Sequence, residues 1–132
     1  MRSGPPINAP ECPFCGAALS TPKPGGIGTR SQFDGGVCPC GAVFGSDPRG
    51  SNLGALLVDV LVCACGGDWD LVWELQEGED YDEAWLYGYY ERLHHLVLGT
   101  EGPRRGIGTL YLAHMKEGRL EMARNRLAQK GR

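Results

Sequence analysis

The clearest hydrophobic pattern in this chain is a run of apolar residues over positions 53–65. Ser51 or Asn52 precedes the run with a side chain suited to a helix N-cap, and Gly66 and Gly67 follow it. Apolar residues occur nearly all round the helical projection of this run. The pattern therefore predicts a buried helix that ends at the glycine pair.

After this run, apolar and polar residues alternate over positions 69–75. A period of two predicts a strand with one buried face. Asp80 or Asp82 can then begin a second helix, rich in aromatic residues, that continues to about Leu98 and ends at Gly99.

Two further elements are predicted near the C-terminus. Residues 107–114 form a short strand, and residues 117–130 form a basic terminal helix. The helix carries Leu120, Ala123 and Leu127 on one side, so that side is expected to pack on the core.

All six cysteines lie in short-spaced pairs, and a glycine follows each pair. The pairs are Cys12 with Cys15, Cys38 with Cys40, and Cys63 with Cys65. A glycine after the second cysteine lets the backbone turn back, so that its amides point at the sulfurs of a bound ion. The first two pairs can supply four thiolates in a tetrahedron, which is the geometry of structural zinc.

The sequences Cys-Pro-Phe-Cys-Gly (residues 12–16) and Cys-Pro-Cys-Gly (residues 38–41) resemble the zinc-ribbon class over about residues 11–45. A cysteine turn of this kind is called a zinc knuckle. The second knuckle has one residue between its cysteines (Cys38 and Cys40), where zinc ribbons more often have two. The resemblance implies a small zinc-stabilised module but no particular activity, because ribbons are functionally diverse. A four-thiolate zinc has no open position for water, so catalysis is not expected.

The third pair, Cys63 and Cys65, lies at the end of the predicted buried helix. Three interpretations stay open: small apolar residues in a core, a second metal site, or a redox dithiol. The sequence Val-Cys-Ala-Cys-Gly here (residues 62–66) repeats Val-Cys-Pro-Cys-Gly (residues 37–41) at a spacing of 25 residues. Duplication and chance explain this repeat about equally well.

The charges are unevenly distributed along the chain. Residues 66–99 carry nine acidic side chains and one basic, whereas residues 100–132 carry eight basic and three acidic. Either the two blocks face one another or stay solvated, or the basic block meets an acidic partner such as nucleic acid. The candidate phosphate contacts are Arg104, Arg105, Lys116, Arg119, Arg124, Arg126 and Lys130.

The predicted fold class is α+β, with a small N-terminal zinc-ribbon-like module packed on a helix-strand-helix unit. The expected division is a disordered leader (1–10), the module (11–50), an α/β core unit (51–115) and a basic C-terminal helix (116–132), which can together form one compact domain. No signal peptide or membrane span is expected, since the apolar run at 53–65 is too short for a bilayer core of about 30 Å. The protein is therefore expected in the cytoplasm.

The function expected from these features is a non-catalytic, zinc-binding interaction or adaptor module with a protein partner. Two alternatives remain: a nucleic-acid-binding ribbon that uses the basic C-terminal segment, and a dithiol redox or metal-handling protein that uses Cys63 and Cys65. Glu91 and His94 have the spacing of a helical carboxylate-histidine metal pair, but such sites need a second pair, and His114 has no visible partner. The three histidines (His94, His95 and His114) are therefore expected to be surface or boundary residues.

Overall fold

The computed structural model describes residues 7–97 and 100–130, and within them the fold is a mixed α and β structure. Six antiparallel strands form one sheet in the order β1-β5-β4-β6-β3-β2. The strands are β1 (Ile7–Asn8), β2 (Asp34–Val37), β3 (Val43–Asp47), β4 (Tyr81–Tyr90), β5 (His95–Val97) and β6 (Gly108–Met115). The helices are α1 (Leu53–Ala64), α2 (Trp69–Val72) and α3 (Arg119–Lys130).

The sheet has helices on one face and cysteine-bearing turns on the other. Along β6, Tyr111 belongs to the hydrophobic cluster that includes helix α1, whereas Leu110 and Leu112 belong to the cluster that includes Cys12 and Cys38. Successive side chains of a strand point to opposite faces, so this division follows from the pleat. The central strands are therefore covered from both sides.

Helices α1 and α3 confirm the sequence predictions. Helix α1 buries Leu56 and Val60 completely and ends before Gly66 and Gly67, which adopt φ values of 75° and 93°. Helix α3 buries Ala123 and packs Leu120 and Leu127 on the same core cluster. Strand β6 likewise confirms the strand predicted at residues 107–114.

The strand predicted over residues 69–75 is wrong, because this segment begins with the short helix α2. Asp68 caps the helix, and its carboxylate accepts hydrogen bonds from the amides of Asp70 (3.0 Å) and Leu71 (3.2 Å). Leu71 and Val72 are buried, while Trp69 is half exposed. Local capping by Asp68 thus outweighs the period-two pattern.

The second predicted helix is also wrong, because residues 81–90 form the central strand β4. Its Tyr81 and Trp85 lie in the helix-side cluster, while Ala84 and Leu86 pack in the cysteine-side cluster. Burial on both faces removes the alternation by which a strand is recognised in a sequence. The expected helix-strand-helix unit is therefore replaced by two helices and three strands, and its predicted end at residues 98–99 lies outside the described residues.

Segments that the sequence analysis placed in separate units share this sheet. Strand β3 pairs with β6 from Val43 opposite Ala113 to Asp47 opposite Thr109. Of the predicted leader, residues 1–6 lie outside the described residues, and Ile7–Asn8 form β1 against β5. None of the helices in the described ranges has the length and apolar character needed to cross a membrane.

Close packing of the β2–β3 hairpin requires glycine at position 35. A Cβ atom on Gly35 would overlap the carbonyl oxygen of Phe44 and lie 2.7 Å from Ile27 Cγ2. We expect Gly35→Ala to lower the free energy of unfolding by about 1–3 kcal/mol, measured by urea denaturation. The control is Gly54→Ala in α1, where no described atom outside the adjacent helix backbone lies within 4 Å of the added methyl group. The higher helix propensity of alanine should stabilise the protein there. Equal unfolding midpoints for Gly35→Ala and Gly54→Ala would contradict the close packing at Gly35.

Candidate metal centre

The first cysteine knuckle is a tight turn that carries Cys12 and Cys15. The amide of Cys12 donates to the carbonyl of Ala17, and the amide of Gly16 donates to the carbonyl of Cys12, both at 2.8 Å. Gly16 has a φ of 81°, which glycine adopts without steric penalty. The glycine after the second cysteine therefore closes the turn as the sequence predicts.

The second knuckle is the turn of the β2–β3 hairpin and carries Cys38 and Cys40. It repeats the hydrogen bonding of the first: Cys38 donates to Ala42, and Gly41 donates to Cys38, again at 2.8 Å. Gly41 has a φ of 98°. Since β3 pairs with the central strand β6, this knuckle is fixed to the sheet.

Backbone amides within the knuckles point at the cysteine sulfurs. The amides of Phe14 and Cys15 act to lower the pKa of Cys12, that of Ala17 the pKa of Cys15, and that of Cys40 the pKa of Cys38. Burial nevertheless raises the pKa of Cys12 and raises that of Cys38 to about 12, whereas the Ala17 amide lowers the pKa of the exposed Cys15. A bound cation supplies the charge that holds buried thiolates deprotonated.

The two knuckles bring four sulfur atoms together. The Sγ atoms of Cys12, Cys15, Cys38 and Cys40 all lie within 4.8 Å of one another. Between the knuckles, Cys12 and Cys40 are 3.8 Å apart and Cys15 and Cys38 are 3.5 Å apart. Sulfurs about 2.3 Å from a tetrahedral ion would be about 3.8 Å from each other. These four residues can therefore hold a metal ion, as the sequence predicts.

Comparison of this chain with protein-family models, with curated proteins and with solved structures finds no match. The likeness to the zinc-ribbon class therefore rests on the two cysteine knuckles. Within the described residues, these knuckles supply the one group of three or more histidine, cysteine or acidic side chains placed to hold an ion.

Cys63 and Cys65 do not join that cluster. Cys63 lies inside helix α1 and is half buried, while Cys65 is the C-cap residue and is 1% exposed. Burial raises the pKa of both thiols, to about 11 for Cys65, where Asp68 adds to the rise. Both sulfurs belong to the helix-side hydrophobic cluster. These features favour a packing role over the second metal site and the redox pair.

The acidic and basic blocks of the sequence face one another across the helix side of the fold. Arg119 and Arg126 of α3 both bind the buried Asp80, and Lys130 binds Glu74 at 2.8 Å. Lys116 pairs with Asp82. Four of the seven candidate phosphate contacts are therefore engaged in ion pairs, whereas no ion pair to a described residue involves Arg104, Arg105 or Arg124.

Two histidines to which the sequence analysis gave no role hold the knuckles to the sheet. His114 on β6 donates from Nε2 to the carbonyl of Cys40 (3.0 Å), and its ring stacks on Phe14 of the first knuckle at 5.5 Å between centroids. The donor must be Nε2–H, because a carbonyl oxygen only accepts. One side chain thus contacts both knuckles.

His94 makes a corresponding link to the segment that follows the first knuckle. Its Nε2 donates to the carbonyl of Leu19 and its Nδ1 accepts from the Tyr89 hydroxyl, both at 2.7 Å. A φ of 52° at His94 aims the ring into this position. The bonds from His94 and His114 to the knuckle segments span 75 and 74 residues, so no local sequence pattern could indicate them.

We expect His114→Ala to weaken metal binding by about tenfold or more, because Cys40 loses the hydrogen bond that fixes its backbone. The dissociation constant can be measured by competition with a chromogenic chelator. His114→Gln, whose Nε2 can still donate to Cys40, should recover most of the affinity. An alanine variant with unchanged affinity would show that His114 does not position the ligands.

Proposed function

We propose that this chain is a non-catalytic, zinc-stabilised interaction module that acts in the cytoplasm and binds a protein partner. The observation that carries the proposal is the convergence of four cysteine sulfurs from two rigid turns. A zinc ion bound by four thiolates is coordinatively saturated and does not activate water. Such an ion stabilises the turns that hold it, and this supports a structural role.

Zinc is favoured by the ligand set and its geometry. Tetrahedral sites with four sulfurs in proteins bind zinc or iron, and the knuckles resemble those of zinc ribbons. Paired cysteines that bind a metal ion rather than form disulfides suit a reducing compartment.

A protein partner is favoured by two exposed tryptophans. Trp69 and Trp73 lie at both ends of the short helix α2 and are 50% and 71% exposed. Tryptophan is enriched among the residues that dominate binding at protein interfaces. We assign these two indoles as the contact residues for the partner.

Native mass spectrometry with elemental analysis tests the metal assignment. The expected result is about one zinc ion per chain, four thiols protected by the metal, and two thiols (Cys63 and Cys65) that react with an alkylating reagent only on unfolding. Iron as the bound metal, or rapid alkylation of Cys63 and Cys65 in the folded protein, would contradict the proposal.

Quantitative pull-down from native lysate tests the partner assignment. Proteins retained by the wild type should be lost with Trp69→Ala/Trp73→Ala and kept with Val37→Ala, which truncates an exposed apolar side chain (56% exposed) on β2. Equal retention by the two variants, or turnover of a substrate by the purified protein, would refute this assignment.

A further inference from the structure

A shallow cleft of about 590 Å³ lies where three segments of the chain converge. Its lining comes from Pro48, from residues 89–93 at the end of β4, and from residues 106–108 at the start of β6. The backbone links the segments directly: the amide of Gly106 donates to the carbonyl of Arg49 at 2.8 Å. The volume is within the usual range for small-ligand sites.

The three segments carry an excess of arginine. Arg49, Arg92, Arg104 and Arg105 are all exposed, and Arg92 lines the cleft itself. None of the four side chains forms an ion pair or a hydrogen bond with any residue in the described ranges. Arg119, Arg126 and Lys130 of α3, by contrast, are engaged with Glu74 and Asp80.

Three carboxylates lie on or next to these segments: Asp47, Glu91 and Glu101. Glu91 lines the cleft, and the buried Asp47 accepts hydrogen bonds from the amides of Arg49 and Asn52. The four arginines exceed these carboxylates by one charge, so these segments carry a small positive excess although the whole chain carries −3. A local excess of positive charge raises the concentration of anions at that part of the surface.

The cleft also offers flat and apolar surface beside these charges. Tyr90 is 44% exposed and Leu93 is 66% exposed, and both line the cleft. A tyrosine ring provides a platform on which a nucleic-acid base can stack, and guanidinium groups bind phosphate with two parallel hydrogen bonds. The combination of arginines and an exposed aromatic ring is typical of sites for single-stranded nucleic acid.

We propose that this arginine cleft, lined by Pro48, residues 89–93 and residues 106–108, binds single-stranded nucleic acid by stacking one base on Tyr90. Arg92 in the lining, and Arg49, Arg104 and Arg105 next to it along the chain, pair with the flanking phosphates. A single strand is favoured over a duplex because its unpaired bases can enter a cleft of this size. The cleft contains none of the four cysteines of the metal cluster, and nucleic-acid binding is an activity beyond the proposed protein-interaction role.

The test uses fluorescence anisotropy of the full chain with a fluorescein-labelled oligouridylate of about eight nucleotides. Four phosphate contacts predict a slope of log K against log salt of about −3. Arg104→Glu/Arg105→Glu should weaken binding at least tenfold and reduce the slope to about −1.5. Tyr90→Ala should weaken binding about tenfold, whereas Tyr90→Phe should bind like the wild type.

The matched control is Arg30→Glu/Arg124→Glu, which changes the same number of exposed arginines by the same charge at positions that do not line the cleft. It should retain wild-type affinity, and far-UV circular dichroism should show all variants folded. An equal loss in the control would reveal non-specific attraction and refute the proposal. Wild-type affinity of Tyr90→Ala, together with equally effective displacement by polyaspartate, would instead identify a surface for an acidic protein.

Discussion

Replacement of Cys38 by serine is expected to abolish metal binding and to lower the midpoint of thermal unfolding by about 10–20 °C. Cys38 is 3% exposed, and its sulfur lies 3.5 Å from that of Cys15 in the opposite knuckle. Serine is a poor replacement for a zinc ligand, since zinc in structural sites prefers soft thiolate. An ion present at a thousand times its dissociation constant stabilises the folded state by about 4 kcal/mol, and this contribution is lost with the ligand.

Cys65→Ser is the matched control for this prediction. Cys65 is 1% exposed, so both substitutions bury a hydroxyl group in place of a thiol, but Cys65 lies outside the metal cluster. The control should keep about one metal ion per chain, and its unfolding midpoint should fall further when a chelator is added. The midpoint of Cys38→Ser should not respond to chelator. Full metal content in Cys38→Ser would show that Cys38 is not a ligand.

Asp80→Asn is expected to lower the free energy of unfolding by about 3–5 kcal/mol, because it breaks a buried ion-pair network. The Asp80 carboxylate is 1% exposed and accepts from the amide of Gln76 (2.9 Å), from Arg119 Nε (2.9 Å) and from Arg126 Nη2 (3.0 Å). An amide at this position is uncharged and turns a donor toward one of the arginines. The network also joins α3 to the segment before β4, so its loss loosens the terminal helix.

The control for Asp80 is Asp82→Asn, two residues along the same segment. Asp82 is half exposed and pairs with Lys116 at 3.8 Å, a geometry in which a surface ion pair contributes at most about 1 kcal/mol. Urea denaturation of the two variants should therefore give clearly different losses. If Asp80→Asn and Asp82→Asn lose the same free energy of unfolding, the buried Asp80 ion pairs stabilise the fold no more than the exposed Asp82 pair does.

Acid unfolding gives an independent measure of the same network. Burial alone would raise the pKa of Asp80, but the hydrogen bonds from Gln76 and the two arginines outweigh it and hold the pKa below its usual value. Such a carboxyl stabilises the fold above its unfolded pKa of about 3.9, and this contribution is lost as the pH falls through the folded value.

The free energy of unfolding of the wild type should therefore fall more steeply below about pH 5 than that of Asp80→Asn. Release of the metal by acid affects both proteins and cancels in the comparison. If the free energies of unfolding of the wild type and of Asp80→Asn fall in parallel as the pH is lowered, the pKa of Asp80 is not lowered in the folded protein.

The two copies of the Val-Cys-X-Cys-Gly pattern show how far local sequence determines structure. Residues 37–41 form a hairpin knuckle with both cysteines in the metal cluster, whereas residues 62–66 end a helix. The difference lies in the flanking residues, because the run before Val62 is apolar enough to form a buried helix. A motif of five residues therefore does not specify its own conformation.

The arginine cleft could not be identified from the sequence for a different reason. Arg104 and Arg105 were among the candidate phosphate contacts, but Arg49, Arg92 and Tyr90 come from two other segments of the chain. Tyr90 also lies in the acidic block, where a phosphate would be repelled if charge were judged along the sequence alone. Its place in one cleft with Gly106, close along the chain to Arg104 and Arg105, depends on how the end of β4 lies next to the start of β6.

The sequence by itself determined the cysteine knuckles and the helices α1 and α3, together with strand β6. Each of these follows from contacts within a few residues: a glycine that closes a turn, an apolar run that ends at glycines, or apolar residues at helical spacing. Only the tertiary structure decided that residues 81–90 form the central strand, that two histidines link the knuckles to the sheet, and which basic residues remain outside ion pairs. Those features depend on partners elsewhere in the chain, such as β6 for residues 81–90 and the knuckle segments for the two histidines. Neither strand propensity nor hydrophobic periodicity indicates such pairings.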